Sequence, residues 1–471
     1  MAREINRGGV VGLGTMGAGI AEVVARAGYD VVGGEINDDA LAAGRGHVDA
    51  STGRAVSRGK LSEHDRDVIV GRIAFTTNRG DLAGADLVIE AIPERLEWKL
   101  DLVADLDAIL DRDAIIATNT SSLSITTIAA ASAHPERVAG LHFFNPAPVQ
   151  KLVEVIRTEL TADDTITSLL NVTARLGKTA VPCGDRAGFV TNYLLFSYLN
   201  AAMDVVDRGY ASHRDVDLAA TAGLGFPMGP FALCDLVGLD TTELVARTIY
   251  DETRDPIDAP RGSLSRLVAA GYLGRKSGRG FYDYDAVPPV PETGTAPLDM
   301  VLAAVPSAAE PDAAGDFTVG SVHVRVVQRA DVVVYAEVIR PLAGDVSAAD
   351  EVAETLRGVG IPVVVAPVNL VDELILGYLN DAAAMVQSGY ASPDDIDIAM
   401  RLGCAMPAGP CEIAESRGFG TVMDTLEDLH TRTGQPRHVP VRLLRDLAAA
   451  RETTFPGRRP SSTTSPSSSR G

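Results

Sequence analysis

Val10-Val11-Gly12-Leu13-Gly14-Thr15-Met16-Gly17, near the start of the chain, decides the fold. A G-x-G-x-x-G pattern is informative where a strand runs into it and a helix runs out of it. Here Val10-Val11 ends an apolar run, Met16 to Ala27 reads as a helix, and Tyr29 to Glu35 reads as a second strand. Gly12 suits the tight turn, Gly14 leaves the backbone open to a pyrophosphate, and Gly17 lets the helix lie close to the strand. The helix N-terminus then offers oriented N–H groups to the anion. Glu35 closes the second strand eighteen residues after Gly17. A carboxylate there binds a ribose diol and repels a 2′-phosphate, which points to NAD rather than NADP.

Working outward, residues 8 to 185 alternate between short apolar runs and helical stretches. Asp86-Leu-Val-Ile-Glu90, Ala114-Ile-Ile-Ala117 and Val138-Ala-Gly-Leu141 have the character of buried parallel strands. A doubly wound α/β domain is predicted, with a polar helical pair over Ala40 to Val70 projecting from the sheet. Strand ends at the carboxyl edge carry Glu90-Ala-Ile-Pro-Glu94, Asn119-Thr-Ser-Ser-Leu123 and Gly140-Leu-His-Phe-Phe-Asn-Pro146. The last of these holds His142, and twelve residues on lies Glu154 in another apolar segment. A histidine held by a carboxylate is the common device for moving a proton at neutral pH.

Beyond Asp185 helical periodicity takes over to about Tyr284, and a repeat follows. Tyr198-Leu-Asn200 recurs as Tyr378-Leu-Asn380, Gly209-Tyr-Ala-Ser212 as Gly389-Tyr-Ala-Ser392, and Pro227-Met-Gly-Pro230 as Pro407-Ala-Gly-Pro410. All share one offset of 180 residues, so the helical domain is duplicated. The expected organisation is an α/β Rossmann-like domain over 1–185 followed by two tandem all-α domains, 186–284 and 367–452. Between them lie a Pro/Ala-rich linker over 285–316, opening at Val287-Pro-Pro, and a partial α/β remnant over 317–366. A disordered tail is expected over 453–471.

A net charge of −21 over 471 residues argues against a nucleic-acid partner. Four cysteines without ligand spacing suit a reducing cytosol and suggest no metal, and no run is long enough to span a membrane. A cytoplasmic protein is the expectation.

Taken together, Gly-Leu-Gly-Thr-Met-Gly-Ala-Gly-Ile, Asn-Thr-Ser-Ser-Leu, Gly-Leu-His-Phe-Phe-Asn-Pro and Gly274-Arg-Lys-Ser-Gly-Arg-Gly-Phe-Tyr282 closely resemble the 3-hydroxyacyl-CoA dehydrogenase family, of the long bacterial type. The resemblance implies NAD-dependent oxidation of a (3S)-3-hydroxyacyl-CoA to the 3-ketoacyl-CoA, in fatty-acid or aromatic-acid catabolism. It implies His142 as base and Glu154 as its orienting partner, with Ser121 and Asn192 at the substrate oxygen. Gly12, Leu13, Gly14, Thr15, Met16, Gly17, Glu35, Glu94, Lys99, Ser121, Asn145 and Lys276 fall where the family meets NAD. Ser51, Arg58 and Ser121 fall where it meets coenzyme A, and Arg54, Arg58 and Lys60 make a basic cluster in an acidic chain.

The family's usual Asn-Arg-Leu-Leu is here Asn192-Tyr-Leu-Leu195, which removes one arginine. In copy two Asp372 stands for Asn192 and Val368-Asn369 for Gly188-Phe189, so that copy is expected to be inactive. The helical copies are expected to pair within the chain, with any homo-oligomer using another surface. The alternatives are a 3-hydroxyadipyl-CoA dehydrogenase of phenylacetate degradation, a 3-hydroxy-acid or 6-phosphogluconate type dehydrogenase, and a non-catalytic structural or nucleotide-binding relative.

Overall fold

Short apolar runs, most ending at a glycine or a polar turn, build the first sheet: β1 (Arg7–Val11), β2 (Asp30–Gly34), β3 (Ile73–Thr76), β4 (Leu87–Glu90), β5 (Ile115–Thr118), β6 (Val138–Phe143), β7 (Leu152–Arg157) and β8 (Thr179–Gly184). The computed structural model describes residues 2–286, 293–305, 308–340 and 346–459. The Val287-Pro-Pro opening of the linker and the tail from Pro460 lie outside the described residues. Strand order is β3-β2-β1-β4-β5-β6-β7-β8. β1 to β6 are parallel, β7 is antiparallel to β6, and β8 runs parallel to β7. Every residue of β4 and β5 is buried, as expected of strands covered on both faces. The order reverses at β1, between β2 and β4, and such a switch opens a crevice at the carboxyl ends of the strands.

The polar pair becomes two helices, Asp38–Ser57 and Glu63–Gly71, tied by Arg66 to Asp49 and to the Thr52 hydroxyl. Its base is clamped to the glycine turn, because a Cβ at Gly44 would stand 2.5 Å from Leu13 Cβ.

The chain divides into two compact units. One joins Met1–Tyr193 to Gly389–Cys404; the other holds the rest of the described chain. The second unit holds most of both helical copies and also, where a partial α/β remnant was expected over 317–366, a sheet that a description as two tandem all-α domains leaves out. It contains a second sheet of β9 (Ala296–Pro297), β10 (Phe317–Val319), β11 (Val322–Arg329), β12 (Val332–Ile339) and β13 (Val363–Ala366), ordered β10-β11-β12-β13 with β9 on β12. Its β11 and β12 are antiparallel and β13 is parallel to β12, the pattern of β6, β7 and β8. Part of the stretch read as a linker is therefore folded: Ala296 pairs with Val333, and the helix Leu298–Ala304 buries Val301. The start of the tail is folded too. Phe455 is buried with its ring 4.9 Å from that of Phe419, and Arg458 pairs with Glu415 at 2.9 Å. In both places composition (Pro and Ala in the linker, Pro and Ser in the tail) hid apolar residues that have a partner in three dimensions.

Within the second unit the matched residues Asn200 and Asn380 do the same work. Asn200 Nδ2 donates to the Ile257 and Asp258 carbonyls, and Asn380 Nδ2 to those of Arg437 and Val439. The copies also touch directly: Ser197 Oγ donates to Asp381, and the buried Arg437 pairs with Asp204 at 3.2 Å. Removing copy two leaves Asp204 and its apolar surroundings uncovered. Truncation near Pro288 is expected to give an insoluble or newly dimeric product by size-exclusion with light scattering. A monomeric, stable and fully active fragment ends the idea of an internal partner.

Candidate active site

Antiparallel pairing of β6 and β7 sets His142 opposite Glu154. Both side chains are buried, and Nδ1 lies 2.8 Å from Glu154 Oε2. The other carboxylate oxygen, Oε1, accepts the N–H groups of Val190 (3.2 Å) and Thr191 (2.9 Å) and the Thr191 hydroxyl (2.9 Å). Thr191 begins the helix Thr191–Asp207, so the carboxylate also sits at a helix N-terminus, where negative charge is favoured. With Nδ1 donating to Glu154, Nε2 of the neutral ring is left as an acceptor. The rings of Phe144 (4.6 Å) and Phe189 (5.6 Å) flank the imidazole. The pair is therefore oriented and screened from water, which is what a general base needs.

Asn192 follows Thr191 at the same helix start and is half-buried. Ser121 lies in the turn after β5, also half-buried, and its N–H donates to Glu94 Oε1 at 3.1 Å. Thr120 and Ser122 donate their hydroxyls to the same oxygen, and Lys99 Nζ stands 3.4 Å from Glu94 Oε2. Burial alone would raise the Glu94 carboxyl; Lys99 and these hydrogen bonds outweigh it and hold the group below the usual range. Asn119 Oδ1 accepts the Phe143 N–H at 2.8 Å and so stitches the serine turn to the strand of His142.

At the carboxyl ends of β1 to β4 lies a cavity of about 760 Å³, walled by Gly12, Gly14, Thr15, Met16, Glu35 and neighbours. Its glycines fit a dinucleotide. A Cβ on Gly14 would meet nothing within 4 Å, so the backbone is open. A Cβ on Gly17 would fall 1.7 Å from the Gly12 carbonyl, so only glycine permits this packing of turn and helix. Glu35 accepts the Leu13 N–H (2.5 Å) and the Ile36 N–H (3.1 Å), fixing the carboxylate on the wall.

Other sequence-predicted residues lie off that wall. Leu13 contributes its N–H while its side chain is in the core. Lys99 is 1% exposed and bound to Glu90 at 2.7 Å; it supports the site from beneath. Asn145 is exposed just after β6. Ser51 lies on the helix Asp38–Ser57, with Arg58 exposed at its end. Lys276 belongs to the other unit, paired with Asp240 at 2.5 Å. Sequence reading missed Glu90, the Thr191 hydroxyl, and the wall formed by Thr76, Asn78 and Trp98. Glu90 opens a quoted motif and Thr191 directly precedes Asn192; Thr76 and Asn78 lie at and just past the end of β3, a four-residue strand with one buried residue, and Trp98 on the helix Leu96–Ile109.

A family model for the NAD-binding domain of 3-hydroxyacyl-CoA dehydrogenase matches residues 8–186, and the model for its C-terminal domain matches twice, at 188–284 and 370–455. The chain belongs to the 3-hydroxyacyl-CoA dehydrogenase family. It is 35% identical to the 3-hydroxyadipyl-CoA dehydrogenase of Escherichia coli over 468 residues, 93% of this chain and 96% of that one. It is 49% identical to a 3-hydroxybutyryl-CoA dehydrogenase of Mycobacterium tuberculosis over 287 residues, 60% of this chain and all of the relative. A crystal structure of an Escherichia coli 3-hydroxybutyryl-CoA dehydrogenase superposes with a TM-score of 0.87 at 33% identity, over 95% of this chain and 99% of that one. This dehydrogenase is thus an NAD-dependent oxidoreductase of 3-hydroxyacyl-CoA. Among its described residues no helix is long and apolar enough to cross a membrane.

The second sheet of the dehydrogenase repeats the geometry of the His142–Glu154 pair with other residues. Arg325 faces Glu337 across β11 and β12, as His142 faces Glu154. Glu337 Oε1 accepts the Val371 N–H at 3.0 Å, and Val371 is the counterpart of Thr191. Burial pushes the Glu337 carboxyl up to about 7. Asp372, in the place of Asn192, is held by Arg325 and Arg417, each at 2.7 Å. Asn369 caps the following helix, which accounts for the Val368-Asn369 departure.

Proposed function

We propose that His142 takes the hydroxyl proton of a short-chain (3S)-3-hydroxyacyl-CoA, with Glu154 holding the ring and Ser121 and Asn192 positioning the reacting oxygen. The observation that carries this reading is the 2.8 Å contact between His142 and a Glu154 carboxylate already saturated by Val190 and Thr191. NAD, when bound, supplies the hydride acceptor. Glu35 would meet its ribose diol, and Gly12, Gly14 and the helix start at Thr15 its pyrophosphate. Lys99 and Glu90 keep Glu94 in place beneath the serine turn. Ser51 and Arg58 are the arm residues proposed to meet coenzyme A, and Asn145 a further cofactor contact.

A second reading, preference for an ω-carboxylated adipyl chain, is supported by likeness to the Escherichia coli 3-hydroxyadipyl-CoA dehydrogenase over nearly the full length of both chains. NADH consumption with acetoacetyl-CoA tests the first reading, and a panel of longer and ω-carboxylated thioesters separates the two. Loss of NADH with none of them would refute both.

Cofactor choice should rest on Glu35. The wild-type enzyme is expected to prefer NADH strongly over NADPH in kcat/KM, and Glu35→Ala to narrow that gap by roughly tenfold or more, since a carboxylate facing a 2′-phosphate is repulsive. Equal kcat/KM for the two cofactors in the wild type would sink this assignment.

A further inference from the structure

The segment Gly389–Cys404 belongs to copy two in sequence but to the catalytic unit in space. Its helix Pro393–Gly403 packs on β7 and β8. Two contacts run from it toward the catalytic pair. At the end of that helix, a Cβ on Gly403 would stand 2.7 Å from Thr191 Cγ2 and 3.0 Å from Leu152 Cδ2, so only glycine lets the backbone lie so close. Thr191 is the residue that gives two of its donors to Glu154. At the other end of the segment, the Tyr390 hydroxyl donates to the Gly184 carbonyl at 2.7 Å, at the close of β8. The Arg186 guanidinium stacks on Tyr193 (3.9 Å) and on Tyr390 (5.1 Å), linking that tyrosine to the turn that leads into Thr191 and Asn192.

The second unit carries the mirror of this arrangement. A Cβ on Gly223 of copy one would meet Val371 Cγ2 at 2.8 Å and the Tyr335 ring at 3.2 Å. Val371 is the counterpart of Thr191, and Gly223 of Gly403. Each copy therefore lends a glycine to the start of the other copy's first helix, beside the buried glutamate on the strand that precedes it.

We propose that copy two is a working part of the catalytic centre: Gly403 and Tyr390 are positioning residues that seat Thr191 and the β8 turn, and through them fix Glu154 against His142. The proposal rests on the reading of His142 and Glu154 as the proton-transfer pair. A loosened Glu154 would leave the imbalance at the imidazole, lowering the rate of the chemical step while sparing substrate and cofactor binding.

The experiment uses the full-length enzyme. Gly403→Ala is expected to lower kcat about tenfold with KM for acetoacetyl-CoA and NADH within about twofold, a loss confined to the chemical step. With less carboxylate support for the charged ring, the histidine limb of the kcat–pH profile for 3-hydroxyacyl-CoA oxidation should move down by about half a unit. Adding Thr191→Ser deletes the methyl that the new Cβ meets and keeps the hydroxyl donor, so the double variant should recover most of the lost kcat. Gly223→Ala makes the equivalent clash beside Glu337 and should leave kcat within about twofold at a similar loss of Tm. If Gly403→Ala does not fold, Tyr390→Phe carries the test: it removes the hydroxyl that donates to Gly184 and should give the same profile shift with about a threefold loss of kcat. A wild-type kcat and pH profile in the variant tested, or equal kcat losses in Gly403→Ala and Gly223→Ala, overturns the proposal. Such a result alongside an inactive His142→Gln removes only the role of copy two. An active His142→Gln removes the reading of the pair itself.

Discussion

His142→Gln is expected to lower kcat by about 10² to 10⁴ while leaving NAD affinity within a few fold. The substitution keeps a polar side chain of similar reach but no nitrogen that can take up the proton. The cofactor cavity should be undisturbed, since its walls come from the ends of β1 to β4 and the histidine lies on β6. Glu154→Gln should also reduce kcat, because an amide can no longer offer a charged oxygen to Nδ1 at 2.8 Å. Steady-state turnover of acetoacetyl-CoA, followed by NADH absorbance, and NAD titration by calorimetry check both halves. A His142→Gln enzyme with near wild-type kcat would mean that the base lies elsewhere.

The largest expected loss of stability is at Lys99. Its ammonium and the Glu90 carboxylate are each about 1% exposed and 2.7 Å apart. Glu90 is otherwise held by the Ile92 N–H (2.7 Å) and the Thr118 hydroxyl (2.6 Å), both neutral donors. Lys99→Met removes the only charge that balances Glu90 among these contacts, and stranding one member of a buried pair costs about 3–5 kcal/mol. Replacing both members, as Glu90→Gln with Lys99→Met, should cost distinctly less, because no uncompensated charge remains. Urea denaturation midpoints of the two variants make the comparison; a Lys99→Met protein within 1 kcal/mol of wild type would show that the pair does not hold the fold.

The parts of this site that were legible in the sequence share a cause: each depends on neighbours close along the chain or on the regular geometry of adjacent strands. The Gly12–Gly17 turn and Glu35 lie within one β-α-β unit. His142 and Glu154 are twelve residues apart, the separation that antiparallel β6 and β7 bring into register. What was not legible depends on packing between distant segments. Lys99, placed at NAD by the resemblance, is turned under Glu90 by the packing of the helix Leu96–Ile109. Nothing local in Gly389-Tyr-Ala-Ser392 tells that it belongs beside β8 rather than with its own copy. The strand at Ala296–Pro297 exists because β12 is there to receive it.

The arginine that faces Glu337 is locked into a larger cluster. Two guanidinium groups now saturate Asp372, and the capped helix that follows is built around that cluster. Placing a histidine at position 325 alone would leave Asp372 with Arg417 but take the guanidinium away from Glu337, with no asparagine at the helix start and no glycine turn upstream in the sequence to hold a nucleotide. Turning Arg325 and Glu337 into a proton-transfer pair would therefore need several simultaneous changes, because the residues around them are bound into one cluster.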